Sequence, residues 1–415
     1  MAFWFNQFLD YILGACRPDR KTAGRGAGEG GIVAVAAAIG NAVAAALASR
    51  GVEPKELPLT PARIWRLVQN AQNGSGSPRA GTMIIDIHAH YVPPELIAAA
   101  RSEGARLGVR LVEEAATPAL HFAYGFKVRP FFPKLIEPVA QRIAWLDEKK
   151  IDYQLVATWP DIYGYGLAPE QCAAWHRVLN DTLAAWCNEN AARFGFIASV
   201  PLPAAEAAAA ELARVGEIGA LGVMVPANVE GTNLGELKLD PFWAKAEELR
   251  LPVILHPVMA GPAPRAMKFA LAQSVHYPFD TTLGVGSLLF SGVLDRFPRL
   301  ELVLAHGGGA YPYLAGRLDI MHARMDRQAQ GDVAARAPSE YLSVLAYDSI
   351  VHSAKSLRFL ADLVGLDRLL LGTDYSFPPA DLDPLKGLRA AGFDERQVQA
   401  IACDNIRRIF SRIRR

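Results

Sequence analysis

Two histidines one residue apart, His88 and His90, end a short apolar run that reads Met83-Ile84-Ile85-Asp86-Ile87-His88-Ala89-His90, and Pro93-Pro94 soon closes it. Alternate side chains of a strand share a face, so both imidazoles point the same way from a strand end. Two converging imidazoles suit a divalent metal such as zinc. Alone, a His-x-His pair is a weak signal that an ordinary half-buried strand also produces. Support comes from three further residues. Pro252-Val253-Ile254-Leu255 leads into His256, Leu300 to Ala305 leads into His306, and Arg368 to Thr373 leads into Asp374. Each metal-capable residue follows its own apolar run.

Chemistry then suggests roles. His88, His90 and His256 offer neutral imidazole nitrogens, and Asp374 offers a hard carboxylate oxygen. Three nitrogens and one oxygen suit zinc, with a further position kept for water or substrate; manganese or another divalent metal is the alternative. His306 is either a fourth histidine ligand or a general acid/base outside the ligand set. Gly307-Gly308-Gly309 behind it would let the backbone pass close to a ligand. No lysine ends a strand where a carbamylated bridge between two metals would need one, so the site is expected to be mononuclear.

The elements that must position these residues alternate between strand-like and helix-like runs, the pattern of parallel α/β architecture. Strands are expected at 83–90, 152–159, 196–200, 220–225, 252–256, 300–306, 341–348 and 368–374. Helices are expected near 136–149, 169–194, 204–217, 241–250, 281–296, from 311, at 353–365, 382–391 and 395–411. Residues 95–133 show no clear period and read as an irregular excursion over the mouth of the fold. Eight βα units in one domain predict a (β/α)₈ TIM-like barrel, in which all strand C-termini lie on the catalytic face. The runner-up is a doubly wound open sheet, although no Gly-x-Gly-x-x-Gly follows the first strand.

Composition narrows the class. The 415 residues are 51% hydrophobic, enough for one large domain and an appended piece. Lys+Arg 43 against Asp+Glu 42 leaves a net charge of +1, which argues against nucleic acid and anionic membrane surfaces as partners. Cys16, Cys172, Cys187 and Cys403 are scattered and fit reduced thiols in a cytoplasmic protein. The uncharged run Gly30 to Ser49 nearly reaches membrane-spanning length, but Ala and Gly dominate it and Asn41 interrupts it, so no membrane insertion is expected.

Residues 20–70 carry a separate resemblance. Lys21-Thr22-Ala23-Gly24-Arg25-Gly26-Ala27-Gly28-Glu29-Gly30-Gly31, the Ala-rich run, and Leu57-Pro58-Leu59-Thr60-Pro61-Ala62-Arg63-Ile64-Trp65 resemble the C-terminal end of the large subunit of xanthine-dehydrogenase-type molybdenum hydroxylases. In that family the glutamate matched by Glu29 is the base beside molybdenum. The several hundred residues that hold the molybdopterin have no counterpart here, so residues 1–73 are read as a non-catalytic appendage. Asn73-Gly74-Ser75-Gly76-Ser77-Pro78 opens a linker, 74–82, and the catalytic domain is expected to span 83–415.

From Met83 onward the chain resembles the amidohydrolase-related metal-dependent enzymes and, within them, the branch of aminocarboxymuconate-semialdehyde, γ-resorcylate and related benzoate decarboxylases. The motifs are Asp86-Ile87-His88-Ala89-His90, His256-Pro257, Phe297-Pro298, His306-Gly307-Gly308-Gly309-Ala310-Tyr311-Pro312-Tyr313, Tyr347-Asp348 with His352, and Leu371-Gly372-Thr373-Asp374-Tyr375. The resemblance implies His88, His90, His256 and Asp374 as metal ligands, His306 as the catalytic base, and a homodimer. It implies a carboxy-lyase on a carboxylated aromatic or muconate-like small molecule, with His306 taking the proton of a metal-activated water.

Some positions depart from that pattern. Arg129, or Lys127, falls near the place of the family's substrate-carboxylate arginine without exact register. Arg324 and Arg327 lie near a second arginine that the neighbouring subunit supplies. Val258 replaces the family's tryptophan after His-Pro. Trp159, Tyr163 and Tyr375 are candidates for an aromatic pocket wall. Two other readings stand beside the decarboxylase: a hydrolase or hydratase using the same metal, and a catalytically silent scaffold barrel.

Overall fold

The computed structural model describes residues 83–114, 117–259 and 264–413. The appended segment, the linker, Glu29 and the run Gly30 to Ser49 lie outside the described residues. Contacts divide the chain into Met1–Gly81 and Thr82–Arg415, and every described residue belongs to the second unit.

Eight parallel strands form one sheet. In chain order the strands of the unit are β1 (Ile85–His90), β2 (Val109–Glu114), β3 (Thr117–Phe122), β4 (Tyr153–Ala157), β5 (Phe194–Ala198), β6 (Gly222–Pro226), β7 (Asn228–Val229), β8 (Thr232–Asn233), β9 (Val253–His256), β10 (Leu302–Leu304), β11 (Ala346–Asp348) and β12 (Leu369–Leu370). The sheet order is β1-β4-β5-β6-β9-β10-β11-β12. The last strand returns to the first: Ile87 N–H donates to Leu371 O at 2.9 Å, Asp374 N–H to His88 O at 2.8 Å, and His90 N–H to Tyr375 O at 2.8 Å. These bonds close the barrel and exclude the open doubly wound sheet. Helices cover its outside, so the strands are buried on both faces and read as continuous apolar runs.

Residues 95–133 are more ordered than expected. Pro94–Leu107 is a helix, with proline in its first turn and Gly108 ending it at φ 71°. Its core face is carried by Leu96, Ala100 and Leu107, and charged residues fill the rest of the segment, which blurs the period. Next, β2 and β3 pair as an antiparallel hairpin. Other differences are local. The helix Pro169–Glu189 stops short of Phe194, because Phe194 already belongs to β5. The helix predicted at 281–296 is two pieces, Tyr277–Phe290 and Val293–Arg296. Strands β10, β11 and β12 are shorter than their apolar runs, because the chain leaves the ladder to place site residues. His306 and Asp374 take φ of 55° and 57°, a left-handed conformation that non-glycine residues rarely hold and that clusters at functional sites.

Candidate metal centre and substrate cavity

Five side chains from four strand ends converge inside the mouth of the barrel. Ring nitrogens of His88, His256 and His306 and a carboxylate oxygen of Asp374 lie within 4.8 Å of one another. His90 stands against the same group, its Nε2 3.1 Å from His88 Nε2 and 3.3 Å from Asp374 Oδ1. His306 Nε2 approaches the other carboxylate oxygen, Asp374 Oδ2, at 3.5 Å.

The outer nitrogens decide which way three of the rings face. His88 Nδ1 pairs with Asp348 Oδ2 at 2.8 Å, His90 Nδ1 with Thr158 O at 3.3 Å, and His256 Nδ1 with Pro257 O at 2.7 Å. Each outer partner is an acceptor, so each Nδ1 carries the proton and each Nε2 lone pair points inward. This is the arrangement that orients metal-ligating histidines. His306 differs: its Nδ1 is buried and has no hydrogen-bond partner. His256 Nε2 and Asp374 Oδ1 are likewise buried without one. Buried polar atoms left unpaired are costly, and a cation among these donors would satisfy them. The donor set therefore fits a divalent metal.

Electrostatics agree. Burial holds His90 and His256 below the ordinary histidine range, His256 well below, so both present lone pairs at neutral pH. Burial would lower His88 too, but its bond to Asp348 and the charges of Asp374, Asp348 and Asp86 outweigh that and hold it above the usual value. Burial works against ionising Asp374, yet the imidazoles of His306, His90 and His88 hold its carboxyl well below the carboxylate range.

A second layer of polar groups fixes the donors. Asp348 ends β11 and accepts the backbone N–H groups of His306 at 2.9 Å, Gly307 at 2.9 Å and Ile350 at 3.1 Å, besides His88. Asp86 lies on β1, between β4 and the segment that follows β12. It accepts His88 N–H at 3.0 Å, Gln154 Nε2 at 2.7 Å, and Thr373 through N–H at 3.0 Å and Oγ1 at 2.6 Å. Burial pushes its carboxyl up to about 6. Gln154 in turn accepts from the fully buried Arg142 at 2.8 Å. The three glycines after His306 pack closely against protein, and Gly309 also lines the cavity into which the centre opens. A Cβ on Gly309 would sit 2.0 Å from Pro278 O, and one on Gly307 would sit 2.4 Å from the Val351 side chain.

The centre opens into a cavity of about 1380 Å³. His256, His306 and Asp374 face it, with Phe132, Trp159 and Phe377 as aromatic wall. Arg129 also lines it, its guanidinium 3.7 Å from the Phe132 ring centroid. Of the three candidate substrate residues, Arg129 and Trp159 are on the cavity wall and Tyr375 is not. The Tyr375 ring stacks on Trp145 at 3.9 Å and its hydroxyl reaches Glu137 Oε2 at 3.3 Å. The chain has left the ladder after Leu370, and the left-handed backbone at Asp374, φ 57°, is followed by a Tyr375 that packs away from the cavity. Tyr163 is also buried off the cavity, against Tyr165 and His176. Arg327 turns to Ala334 O at 2.9 Å and to His322. Sequence reasoning gives no role to Asp348, Asp161, Tyr277 or Phe377. Asp348 and Asp161 lie at or just beyond strand ends, where the same rule that finds His256 would find them.

Known proteins share this architecture. The amidohydrolase family profile matches residues 85–412. The chain belongs to the amidohydrolase family. A 2-amino-3-carboxymuconate-6-semialdehyde decarboxylase of Dictyostelium discoideum is 32% identical over 302 residues, covering 72% of this chain and 83% of that protein. Among solved structures, 5-carboxyvanillate decarboxylase of Sphingomonas paucimobilis superposes with TM-score 0.67 at 22% identity, over 80% of this chain and 99% of its own. A dihydroxybenzoic acid decarboxylase of Polaromonas, solved with manganese and the inhibitor 2-nitroresorcinol, gives TM-score 0.61 at 21% identity, over 80% and 98%. These amidohydrolases confirm the barrel expected from the strand pattern. The family match and the 32% identical decarboxylase leave the silent-scaffold reading without support.

Proposed function

We infer that this amidohydrolase is a metal-dependent carboxy-lyase that releases carbon dioxide from a carboxylated aromatic or muconate-like small molecule. His88, His90, His256 and Asp374 hold the metal, and His306 moves the proton. One observation carries the division of roles. Three rings have their outer nitrogens tied to acceptors, whereas His306 has a free Nδ1 and faces the cavity. A ring whose outer nitrogen is left unpaired is suited to take a proton there and return it. The relatives named above, which are decarboxylases, support the reaction class.

The wall residues suit this chemistry. The metal, when bound, acts as a Lewis acid toward a water or a substrate oxygen. Phe132, Trp159 and Phe377 hold a flat apolar body and exclude water from it. Arg129 offers a cation to a carboxylate at the wall. Cleaving the bond to the carboxylate leaves an electron pair on carbon, and a proton must replace the lost carbon dioxide there. His306 is the group that delivers it, a reading supported by its position on the cavity wall, 3.5 Å from Asp374 Oδ2.

Three finer assignments belong to the same reading. Zinc is the resident metal, supported by three imidazoles and one carboxylate, with manganese the alternative. The protein is a homodimer. Phe279 and Leu283 on helix Tyr277–Phe290, and Tyr313 and Ile320 on helix Tyr311–Arg324, expose apolar side chains at 50%, 63%, 80% and 47% on adjoining helices. It is cytoplasmic, supported by free Cys172, Cys187 and Cys403. No helix among the described residues is long and apolar enough to cross a membrane.

The test is carbon dioxide release from a panel of aromatic and muconate carboxylates in ¹⁸O-labelled water. The expected result is carbon dioxide with no labelled oxygen in a stable organic product, lost on chelation and restored by a divalent metal. Labelled oxygen in a stable cleaved product would make the enzyme a hydrolase.

A further inference from the structure

The cavity holds an anion as well as a cation. Asp161 follows β4 within the turn Pro160–Ile162, is 8% exposed and lines the cavity wall. Its Oδ1 accepts the Met259 N–H at 2.8 Å, three residues beyond His256. The Trp159 indole is the other hydrogen-bonding group that acts on it. Asp280 separates two roles. It supports the same loop, but both its oxygens are used inside the protein, by Asn228 Nδ2 at 2.8 Å and Val258 N–H at 3.0 Å, and it does not line the cavity. Supporting the loop therefore does not require a carboxylate at the wall.

Arg129 and Asp161 sense each other's charge, but no ion pair within 4.0 Å joins them. Each keeps hydrogen-bonding capacity for a third party. Tyr277 lies among them: the charges of Asp161, Arg129 and Asp374 all act on its hydroxyl. A cation, an anion and the metal centre thus share one chamber. Burial pushes Asp161 up to about 6, which a group kept only for packing would not need to bear.

We propose that Asp161 is a specificity-determining residue, accepting a hydrogen bond from an amino or hydroxyl substituent that the substrate carries besides its carboxylate. The proposal deepens the decarboxylase reading by naming the substrate class, a carboxylate with a donor-bearing substituent. A plain carboxylate would leave Asp161 buried against an apolar surface without its partner, and sites built to hydrogen-bond a group discriminate strongly against analogues lacking it.

Binding is the readout, so the test does not depend on turnover. Calorimetric titration of the metal-loaded protein compares benzoate with its hydroxybenzoate and aminobenzoate isomers, for wild type, D161N and D161L. D161N keeps an oxygen for the Met259 N–H and so preserves the loop. Wild type is expected to bind at least one donor-bearing isomer about tenfold or more tighter than benzoate. D161N should shrink that preference and D161L abolish it, because benzoate then no longer leaves a carboxylate unpartnered at the wall. Equal weakening of benzoate and its isomers by both variants, or no preference in wild type, would overturn the proposal. Selective binding without carbon dioxide release would leave Asp161 standing and remove the decarboxylase.

Discussion

His88 Nδ1 and Asp348 Oδ2 lie 2.8 Å apart, joining the ends of the first and seventh barrel strands. The same carboxylate accepts the N–H groups of His306 and Gly307, so one residue orients both the proposed ligand His88 and the backbone of the proposed proton carrier. Asp348→Asn keeps the volume but puts an amide where acceptors are needed. Metal affinity is expected to fall about 10- to 100-fold, measured by competition with a chelator. Unchanged affinity would mean that the pair does not orient His88.

Gly309 and Gly316 make a matched pair of stability tests. At Gly309, φ is 61° and an added Cβ would meet Pro278 O at 2.0 Å. At Gly316, inside helix Tyr311–Arg324, it would meet nothing within 4 Å. Gly309→Ala should cost about 2 kcal/mol or more of unfolding free energy. Gly316→Ala should add about 0.5–1 kcal/mol. Chemical denaturation of both variants checks the contrast.

Asp161 sets a pH signature. Burial raises its folded-state value from 3.8 to about 6, so the native protein holds this proton more tightly than the unfolded chain. The cost of burying the charge is absent below about 3.8, grows through about 6 and is complete by about pH 7, where it reaches about 3 kcal/mol. Asp161→Asn removes it. The melting temperature of the variant relative to wild type should therefore rise as pH goes from 4.5 to 7. A difference that stays constant across that range would show that the carboxyl is not buried against its charge.

The exposed face of helices Tyr277–Phe290 and Tyr311–Arg324 predicts the oligomer. Leu283 is 63% exposed, so Leu283→Glu should not disturb the fold of one protomer. If a second copy covers that face, the substitution buries a charge and shifts the mass measured by light scattering from dimer to monomer. Equal mass for both proteins would move the interface elsewhere.

Much of the barrel and of the candidate donor cluster is legible in the sequence because apolar runs ending in His256, His306 and Asp374 carry two signals at once. The run marks a buried parallel strand, and its last residue marks the catalytic face. The outer partners of His90 and His256 are not legible: Thr158 O and Pro257 O are backbone atoms that any residue would supply. Tyr375 is misplaced by a reading that takes aromatic type beside Asp374 as enough, because the irregular backbone after Leu370 sends its ring onto Trp145 instead. The helix Pro94–Leu107 and the β2–β3 hairpin escape sequence reasoning because both are partly exposed elements whose apolar face is thin.

The most direct test measures bound metal and carbon dioxide release on the same preparations of wild type, His306→Asn and His256→Asn. His306→Asn should retain wild-type metal stoichiometry while turnover falls by about 10²- to 10⁴-fold, and His256→Asn should lose metal and turnover together. Loss of metal from His306→Asn to the level of His256→Asn would make His306 a ligand. Undiminished turnover by that variant would contradict its role as the proton carrier.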